Sequence, residues 1–189
     1  MILLALLCVF YGIYFVKMVL LRKQGIAADL LGKGDKPKGA VLVERVLKAI
    51  TYLGAAAQFV SVLYPNLIWS IAAPLPFQII GIALAAAGVV FFLLSVTIMR
   101  GNWRAGFDEK QDTALVTGGV YRFSRNPAFV GFGLLYIGCS LSVPSAVILI
   151  VTVTVITAFH IQILGEEKFL AKKFGQEYIE YKGSVRRYF

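Results

Sequence analysis

The side chains that could carry chemistry fall into two polar clusters in the C-terminal half of the chain. Residues 115–127 contain the glycine pair Gly118-Gly119 and two arginines, and Glu166-Glu167 form an acidic pair. A carboxylate accepts hydrogen bonds from hydroxyl or amino groups, and a guanidinium pairs with a carboxylate or a phosphate. His160 lies between the clusters in an apolar run, where an ionisable side chain is a candidate functional residue.

Each candidate also has a purely structural interpretation. Arg125 could anchor a lipid phosphate, and the acidic pair could cap the helix that follows it, because acids are favoured in a first helical turn. Gly118-Gly119 could form an ordinary turn. His160 could be a packing residue that makes one hydrogen bond.

The composition indicates which elements must position these residues. Of 189 residues, 59% are hydrophobic and only 15% are charged, and the mean hydropathy is +0.78. Ordinary soluble domains are about 45–50% apolar and about 25% charged. Residues 49–99 and 126–165 contain no Asp, Glu, Lys or Arg, and each stretch could cross a bilayer twice at about 20 residues per crossing. We therefore expect a single membrane domain, residues 1–189, without a separate soluble catalytic domain.

We predict an all-α integral membrane fold with five transmembrane helices and a C-terminal amphipathic helical segment at the cytoplasmic interface. Unpaired backbone groups are costly in lipid, so helices are expected even where β-branched residues are common. The predicted spans are residues 2–21, 45–64, 77–99, 127–141 and 146–164. Residues 22–44 are predicted to be a polar loop because of their glycines and proline, and residues 65–76 a short connector. Residues 1–99 thus hold three spans, and residues 100–189 hold the long loop, a hairpin and the tail.

The tail changes pattern after Gly165. Residues 166–174 predict an amphipathic helix with acids in its first turn and lysines in its last, which suits the helix dipole. Residues 176–182 predict a second short helix that carries Tyr178 and Tyr181. Since the fourth and fifth spans form a hairpin, the segment entering it and the segment leaving it must lie side by side. The two polar clusters therefore enclose one site.

The basic residues indicate the orientation. All of the 19 Lys and Arg residues except Lys17 lie in or beside the first loop, the long loop and the tail, which share one side of the membrane in a five-span fold. Basic residues collect on the cytoplasmic side, so we expect an external N-terminus and a cytoplasmic C-terminus. The outer connectors contain no acid, base or histidine, so any chemistry faces the cytoplasm.

The net charge of +9 is explained by this topology, so we expect no nucleic-acid partner. The cysteines Cys8 and Cys139 each lie in an apolar run, where they are expected to be small packing residues. One histidine and two isolated thiols provide no cluster of metal ligands, so we expect no metal site.

Two motifs carry a family resemblance. Gly-Val-Tyr-(three residues)-Arg-Asn-Pro-Ala-Phe-Val-Gly spans residues 119–131, before the hairpin. Glu-Glu-Lys-Phe-Leu-(three residues)-Phe-Gly-(two residues)-Tyr-(two residues)-Tyr spans residues 166–181, after it. In this order, the motifs resemble the isoprenylcysteine carboxyl methyltransferase family, in a wider group with phospholipid N-methyltransferases. The resemblance runs from about residue 101, including Gly101-Asn102-Trp103, and the first two spans match only in being hydrophobic.

The resemblance implies an integral membrane methyltransferase that uses S-adenosylmethionine. It implies a pocket roofed by the C-terminal segment and open sideways toward lipid, with Arg125 and Glu167 as the catalytic residues. The implied cofactor-binding residues are Leu115, Val116, Gly119, Val120, Tyr121, Arg125, Asn126, Pro127, Glu166 and Glu167. The implied substrate-binding residues are Trp103, Tyr178 and Tyr181. Asn126 replaces the histidine of the family pattern, and an amide can donate a hydrogen bond but cannot act as a base.

The expected partner is a lipophilic methyl acceptor, or one embedded in the membrane lipid, at the cytoplasmic leaflet. An isoprenylcysteine-like carboxylate, a phospholipid amine and a small thiol all remain open. A membrane sterol or isoprenoid reductase is one alternative, although it would need a nicotinamide nucleotide and usually more spans. A non-enzymatic scaffold or transporter component is another, although the nearly uncharged spans argue against an ion pathway.

Overall fold

The computed structural model describes residues 1–34, 36–107 and 113–189. Six α-helices occur in these residues, with short 3-10 turns at Pro65–Ile68, Arg100–Asn102 and Gly119–Arg122. The helices are α1 (Ile2–Lys23), α2 (Lys38–Leu63), α3 (Leu75–Ile98), α4 (Pro127–Ser142), α5 (Ala146–Phe174) and α6 (Gln176–Ser184). Extended pairing in the described residues is limited to an isolated bridge between Asp29 and Ala105. The predicted all-α fold is confirmed.

The first three helices and α5 are long and apolar enough to cross a membrane. Helix α4 is apolar but has only 16 residues, a length of about 24 Å. Large apolar side chains on the long helices point outward, among them Phe15, Leu53 and Ile150. In a bilayer these faces contact lipid, so the chain is a multi-pass membrane protein.

Two predicted boundaries are wrong. The expected loop over residues 22–44 ends early, because α2 begins at Lys38 directly after Pro37, whose fixed φ suits a helix entrance. The fifth span does not end at residue 164 as predicted, because α5 continues through Gly165 for 29 residues, or about 44 Å. Gly165 costs the helix about 1 kcal/mol, and the side-chain hydrogen bond between Gln162 and Glu166, four residues apart, offsets part of that cost. This length exceeds the hydrocarbon core of about 30 Å, so the last turns of α5 can extend beyond the membrane.

Helices α3 and α4 pack backbone to backbone through glycines. A Cβ atom on Gly88 would lie 2.6 Å from the carbonyl oxygen of Gly131, and one on Gly81 would lie 2.5 Å from that of Gly138. Such approaches are typical of small-residue contacts between membrane helices. The glycines of α3 therefore form its packing face toward α4, and the hairpin is fixed against α3.

An aromatic cluster fills the space between α1, α3 and α4. Phe10 stacks on Phe92 with ring centroids 4.5 Å apart, and Phe132 meets both rings edge-on. Trp103 is only 4% exposed and lies edge-on to Tyr14 and Phe92. Trp103 is therefore anchored by the core even though it borders the site described below.

The loop between α1 and α2 docks on the segment that follows α3. Leu30 donates its backbone N–H to Ala105, and Ala105 donates to Ala28, at 2.9 and 2.8 Å. Glu44 at the start of α2 accepts the backbone N–H of Gly32 and pairs with Lys36. These bonds place the N-terminal half of the chain beside residues 103–107.

Candidate functional site

A cavity of about 140 Å³ lies at the ends of α3, α4 and α5 and beneath α6. It is lined by the end of the long loop, the entrance to α4, the last turns of α5 and the tyrosine face of α6. Most of the sequence-predicted site residues line it: Trp103, Leu115, Val116, Tyr121, Arg125, Asn126, Pro127, Glu166, Tyr178 and Tyr181. The expectation that the two polar clusters enclose one site is therefore met for these residues.

Two of the predicted residues support the cavity wall from behind. Gly119 has a φ of +59°, and a Cβ atom there would lie 2.5 Å from Cδ1 of Ile98. The positive φ favours glycine, and a larger residue would also require the Ile98 side chain to shift. Val120 is buried in the same turn but does not line the cavity. Their direct contact with a cofactor stays a prediction.

Glu167, the third residue outside the lining, is held between two arginines. Its Oε1 accepts hydrogen bonds from Nη2 of Arg125 at 2.8 Å and from Nε of Arg187 at 2.9 Å. Its Oε2 accepts from Nη2 of Arg187 at 2.8 Å. The pairing raises the pKa of the Arg187 guanidinium. Glu167 is thus an ion-pair centre in this structure, and its predicted role as a ligand stays a prediction.

Arg125 connects the cavity to the C-terminal segment. Its Nη1 donates to the carbonyl oxygens of Lys182 and Val185, and its backbone N–H donates to Arg186. Asn126, which replaces the family histidine, donates from Nδ2 to the carbonyl of Arg187 at 3.2 Å. The entrance to α4 therefore holds the tail in place, and the predicted roof is present.

Sequence reasoning missed Arg187. A basic pair in the tail and an acidic pair after the hairpin are opposite charges, but their spacing does not show which residues meet. The pairing depends on the turn at Gly175, where a φ of +54° redirects the chain from α5 into α6. Gly175 was the available signal for that turn.

The two tyrosines of α6 differ in their hydrogen bonds. The hydroxyl of Tyr181 donates to the carbonyl of Tyr121 at 2.7 Å, whereas the buried hydroxyl of Tyr178 makes no bond of standard geometry, although it lies beside Arg125. Burial raises the pKa of both Tyr178 and Tyr181 to about 12. Both are neutral donors at physiological pH.

Unpartnered donors concentrate at this cavity. Five buried side-chain atoms in the described part of the chain lack a hydrogen-bond partner, and three of them belong to residues of the lining. These three are Nε of Arg104, Nε of Arg125 and the hydroxyl of Tyr178. Buried polar groups are normally satisfied, so such a concentration indicates a place prepared for a polar ligand.

A second cavity, of about 280 Å³, adjoins the first. Its walls are mostly apolar and aromatic, with Leu47, Phe92, Phe132 and Phe159 among them. Both cavities are bordered by Trp103, Arg104, Gly106, Ala128, Phe129 and Glu166. The rim includes Phe15 of α1 and Tyr52 of α2, which are 70% and 61% exposed. The second cavity therefore faces lipid between α1 and α2.

A buried polar network connects Glu166 to the N-terminal half. Nε2 of Gln162 donates to Glu166 at 3.0 Å and to Glu44 at 3.2 Å. Glu44 in turn pairs with Lys36 at 2.5 Å, and both side chains are shielded from solvent. Sequence reasoning missed Gln162, Glu44 and Lys36, because residues in a loop and on two helices come together only in the folded chain.

His160 lies apart from both cavities. Its Nδ1 is 2.5 Å from the hydroxyl of Tyr188, and it borders a groove of about 230 Å³ with Tyr188 and Phe189. His160 and Glu167 are seven residues apart on the continuous helix α5 and so lie on one face of it, and both contact the C-terminal segment. The contact supports the interpretation of His160 as a packing residue with a hydrogen bond.

The family model described as phospholipid methyltransferase matches residues 77–177. Protein-S-isoprenylcysteine O-methyltransferase of Saccharomyces cerevisiae is 38% identical over 78 residues, which cover 41% of this chain and 33% of that protein. Protein-S-isoprenylcysteine O-methyltransferase A of Arabidopsis thaliana is 39% identical over 72 residues, covering 38% and 36%. The chain thus spans about a third of the length of the curated relatives it matches.

A solved structure is similar in fold. It is the eukaryotic intramembrane Ras methyltransferase, isoprenylcysteine carboxyl methyltransferase, with a TM-score of 0.56 and 25% sequence identity. The similarity covers 74% of this chain and 50% of that one. Its extent exceeds the sequence matches, so the similarity in fold reaches beyond the residues that align in sequence.

Proposed function

The chain belongs to the phospholipid methyltransferase family, and we propose that it transfers a methyl group from S-adenosylmethionine to a lipophilic acceptor at the membrane. The observation that carries the proposal is the pair of adjoining cavities. One is lined by unpartnered polar donors, and the other is apolar and faces lipid. A polar cofactor and an apolar acceptor need such a pair of neighbouring sites.

The lining of the first cavity fits the cofactor. S-adenosylmethionine carries a carboxylate, an ammonium group and ribose hydroxyls, and it supplies a methyl group activated on a sulfonium. Nε of Arg125 and the hydroxyl of Tyr178 lie beside each other without a bond of standard geometry among the described residues, so both can donate to a carboxylate. Glu166 can accept hydrogen bonds from hydroxyl or ammonium groups. We assign these three side chains to cofactor binding.

The contribution of the protein to the reaction is alignment and the exclusion of water. Methyl transfer is a direct displacement, which needs the acceptor atom, the methyl carbon and the sulfur in line. Phe129 and Trp103 border both cavities and fix where the two reactants meet. The C-terminal segment, held by Arg125 and Asn126, closes the site toward water.

The relatives named above act on isoprenylcysteine, and we propose an acceptor of that class for this chain. The apolar second cavity supports it because an isoprenoid chain gains free energy by leaving water or the interface for such a surface. We further propose that the site faces the cytoplasm and that the N-terminus lies outside, since the basic loops and tail lie at the site end of the helices.

Isothermal titration calorimetry of the full chain in detergent tests the cofactor. We expect S-adenosylhomocysteine to bind and NADPH to give no heat. A folded sample that binds NADPH but not S-adenosylhomocysteine would contradict the proposal and favour a reductase. Transfer of a radiolabelled methyl group to N-acetyl-S-farnesylcysteine tests the acceptor separately.

A further inference from the structure

Arg104 lies where the two cavities meet. It borders both of them, and its Nη1 donates to the backbone carbonyls of Gly101 and Trp103. Its Nε is buried and has no partner. The local bonds therefore hold one edge of the guanidinium, while the edge that carries Nε stays available to a ligand.

The charge of Arg104 is not neutralised by any described carboxylate. The other basic residues that line the cavities are paired, since Arg125 contacts Glu167 and Lys48 contacts Asp29. Within the described residues no carboxylate oxygen lies within ion-pair distance of Arg104. Burial lowers the pKa of its guanidinium, which reflects the cost of keeping the charge away from water.

Glu166 does not form an ion pair with Arg104. It borders both cavities, as Arg104 does, but its Oε1 accepts from Gln162. The passage between the cavities thus presents an acidic and a basic group that are not paired with each other. An anion that enters beside Arg104 gains the charge-assisted hydrogen bonds that the described residues leave unmade.

We propose that Arg104 binds the anionic head group of the acceptor, a carboxylate on a long apolar chain, and selects it over an amine on the same chain. This inference rests on the proposed function, which places the acceptor in the second cavity. A planar guanidinium edge matches a carboxylate with two parallel hydrogen bonds, whereas it repels an ammonium group. Arg125 and Tyr178 border only the first cavity, and Lys48 of the second cavity is paired with Asp29. Arg104 is therefore the basic side chain of the second cavity that has no carboxylate partner among the described residues.

The reaction explains why such a contact would help turnover. A carboxylate oxygen of the acceptor forms the new carbon–oxygen bond, the carbon–sulfur bond breaks, and its electron pair stays on sulfur. The positive charge on sulfur and the negative charge on the carboxylate both disappear. The neutral ester no longer pairs with Arg104, so the product binds more weakly than the substrate.

The test compares three ligands of one chain length on the full protein in detergent. They are N-acetyl-S-farnesylcysteine, its carboxamide and its methyl ester, titrated without cofactor. We expect the carboxylate to bind the parent about tenfold more tightly than either neutral ligand, the gain from charge-assisted hydrogen bonds. Arg104→Gln should remove this preference, and Arg104→Lys should retain part of it through charge alone. Arg122→Gln, the same change at an exposed residue that lines neither cavity, should keep it.

Two results would overturn the inference. One is a parent protein that binds farnesylamine as tightly as the carboxylate. The other is an Arg104→Gln variant that loses affinity for S-adenosylhomocysteine while it keeps the carboxylate preference, because Arg104 would then serve the cofactor. If Arg104→Gln does not fold, the carboxylate preference can still be measured by titrating the three ligands into the parent protein and into Arg104→Lys. If the proposed function is wrong, the protein will neither bind S-adenosylhomocysteine nor transfer a methyl group. The acceptor titrations are made without cofactor, so their outcome is independent of that result.

Discussion

Glu167 of α5 and Arg187 of the tail form a two-bond ion pair, with Nε to Oε1 at 2.9 Å and Nη2 to Oε2 at 2.8 Å. The same carboxylate also receives Nη2 of Arg125, so it joins the end of one membrane helix, the entrance to another and the C-terminal segment. One buried acidic side chain therefore contributes, with the bonds of Arg125, Asn126 and Tyr181, to holding the roof over the first cavity. In this structure Glu167 therefore helps to close the site, and its direct contact with the cofactor stays a prediction.

We predict that Glu167→Gln loosens the roof. The amide keeps the size but loses the charge, so the bonds to both arginines weaken and the folded state loses about 1.5–3 kcal/mol. Limited proteolysis should cut the tail faster, and the dissociation constant of S-adenosylhomocysteine should rise about tenfold. Glu177→Gln on exposed α6 surface is the control and should change neither quantity. Unchanged proteolysis together with weaker binding would show instead that Glu167 contacts the cofactor directly.

Arg125→Lys tests the second partner of this ion pair. Lysine retains the charge but cannot reach Glu167 and the carbonyls of Lys182 and Val185 at the same time. We expect a rise of about tenfold or more in the dissociation constant of S-adenosylhomocysteine, measured by calorimetry. Arg122→Lys, at an exposed position, is the matched control. Binding equal to that of the parent in a folded Arg125→Lys sample would remove Arg125 from the cofactor site.

The two tyrosines of α6 provide a paired test. Tyr178→Phe removes a hydroxyl that has no bond of standard geometry, so thermal stability should not fall, while the affinity for S-adenosylhomocysteine should drop several-fold. Tyr181→Phe removes the bond to the carbonyl of Tyr121 and should destabilise the protein by about 1 kcal/mol. Calorimetry and thermal denaturation of both variants measure the two effects. A Tyr178→Phe variant with parental affinity would exclude this hydroxyl as a cofactor ligand.

The motif segments were predictable because their signals are local. A proline at the first turn of α4, a glycine with positive φ before α6 and opposite charges along α5 each act over a few residues. The α4–α5 hairpin then brings residues 115–127 and residues 166–181 together without help from the N-terminal helices. Most of the predicted cofactor-binding residues therefore line one cavity.

The missed residues depend on contacts between distant segments. Nothing in the sequence distinguishes Arg104 from other arginines in loops. Its position is set in the folded chain, where the aromatic cluster fixes Trp103 on one side of it and the isolated bridge fixes Ala105 on the other. Gln162 resembles an uncharged residue in a span until α2 brings Glu44 to it, 118 positions away in sequence. The sequence left the continuity of α5 open for another reason, since Gly165 costs a helix only about 1 kcal/mol and so does not by itself end it.

The glycine packing between α3 and α4 predicts that alanine substitutions at two nearby glycines of α4 have different effects on stability. A methyl group at Gly131 would lie 2.8 Å from the carbonyl oxygen of Gly88, so Gly131→Ala should push the helices apart and lower the melting temperature. Gly133 has open space around it, and Gly133→Ala should be neutral or slightly stabilising, since alanine favours helix by up to about 1 kcal/mol. Thermal denaturation in detergent compares the two. Equal melting temperatures would show that the helices do not approach as closely as described.

The orientation of the chain can be tested with single cysteines. Cys8 and Cys139 are unpaired and can first be replaced by alanine. Exposed positions are available at Ser184, the last residue of α6, and at Asn66, in the connector between α2 and α3. We expect a membrane-impermeant maleimide added to intact cells to label a cysteine at Asn66 and not one at Ser184.

The physical reason for this expectation is the distribution of basic residues. The connector at Asn66 lies in a stretch without Lys or Arg, whereas the tail carries Lys182, Arg186 and Arg187, and such clusters remain in the cytoplasm. Both positions should label after the membrane is permeabilised, which controls for reactivity. Labelling at Ser184 in intact cells would place the roofed cavity outside the cell. The proposed acceptor would then have to be presented from the outer leaflet, and the cofactor would have to be supplied there as well.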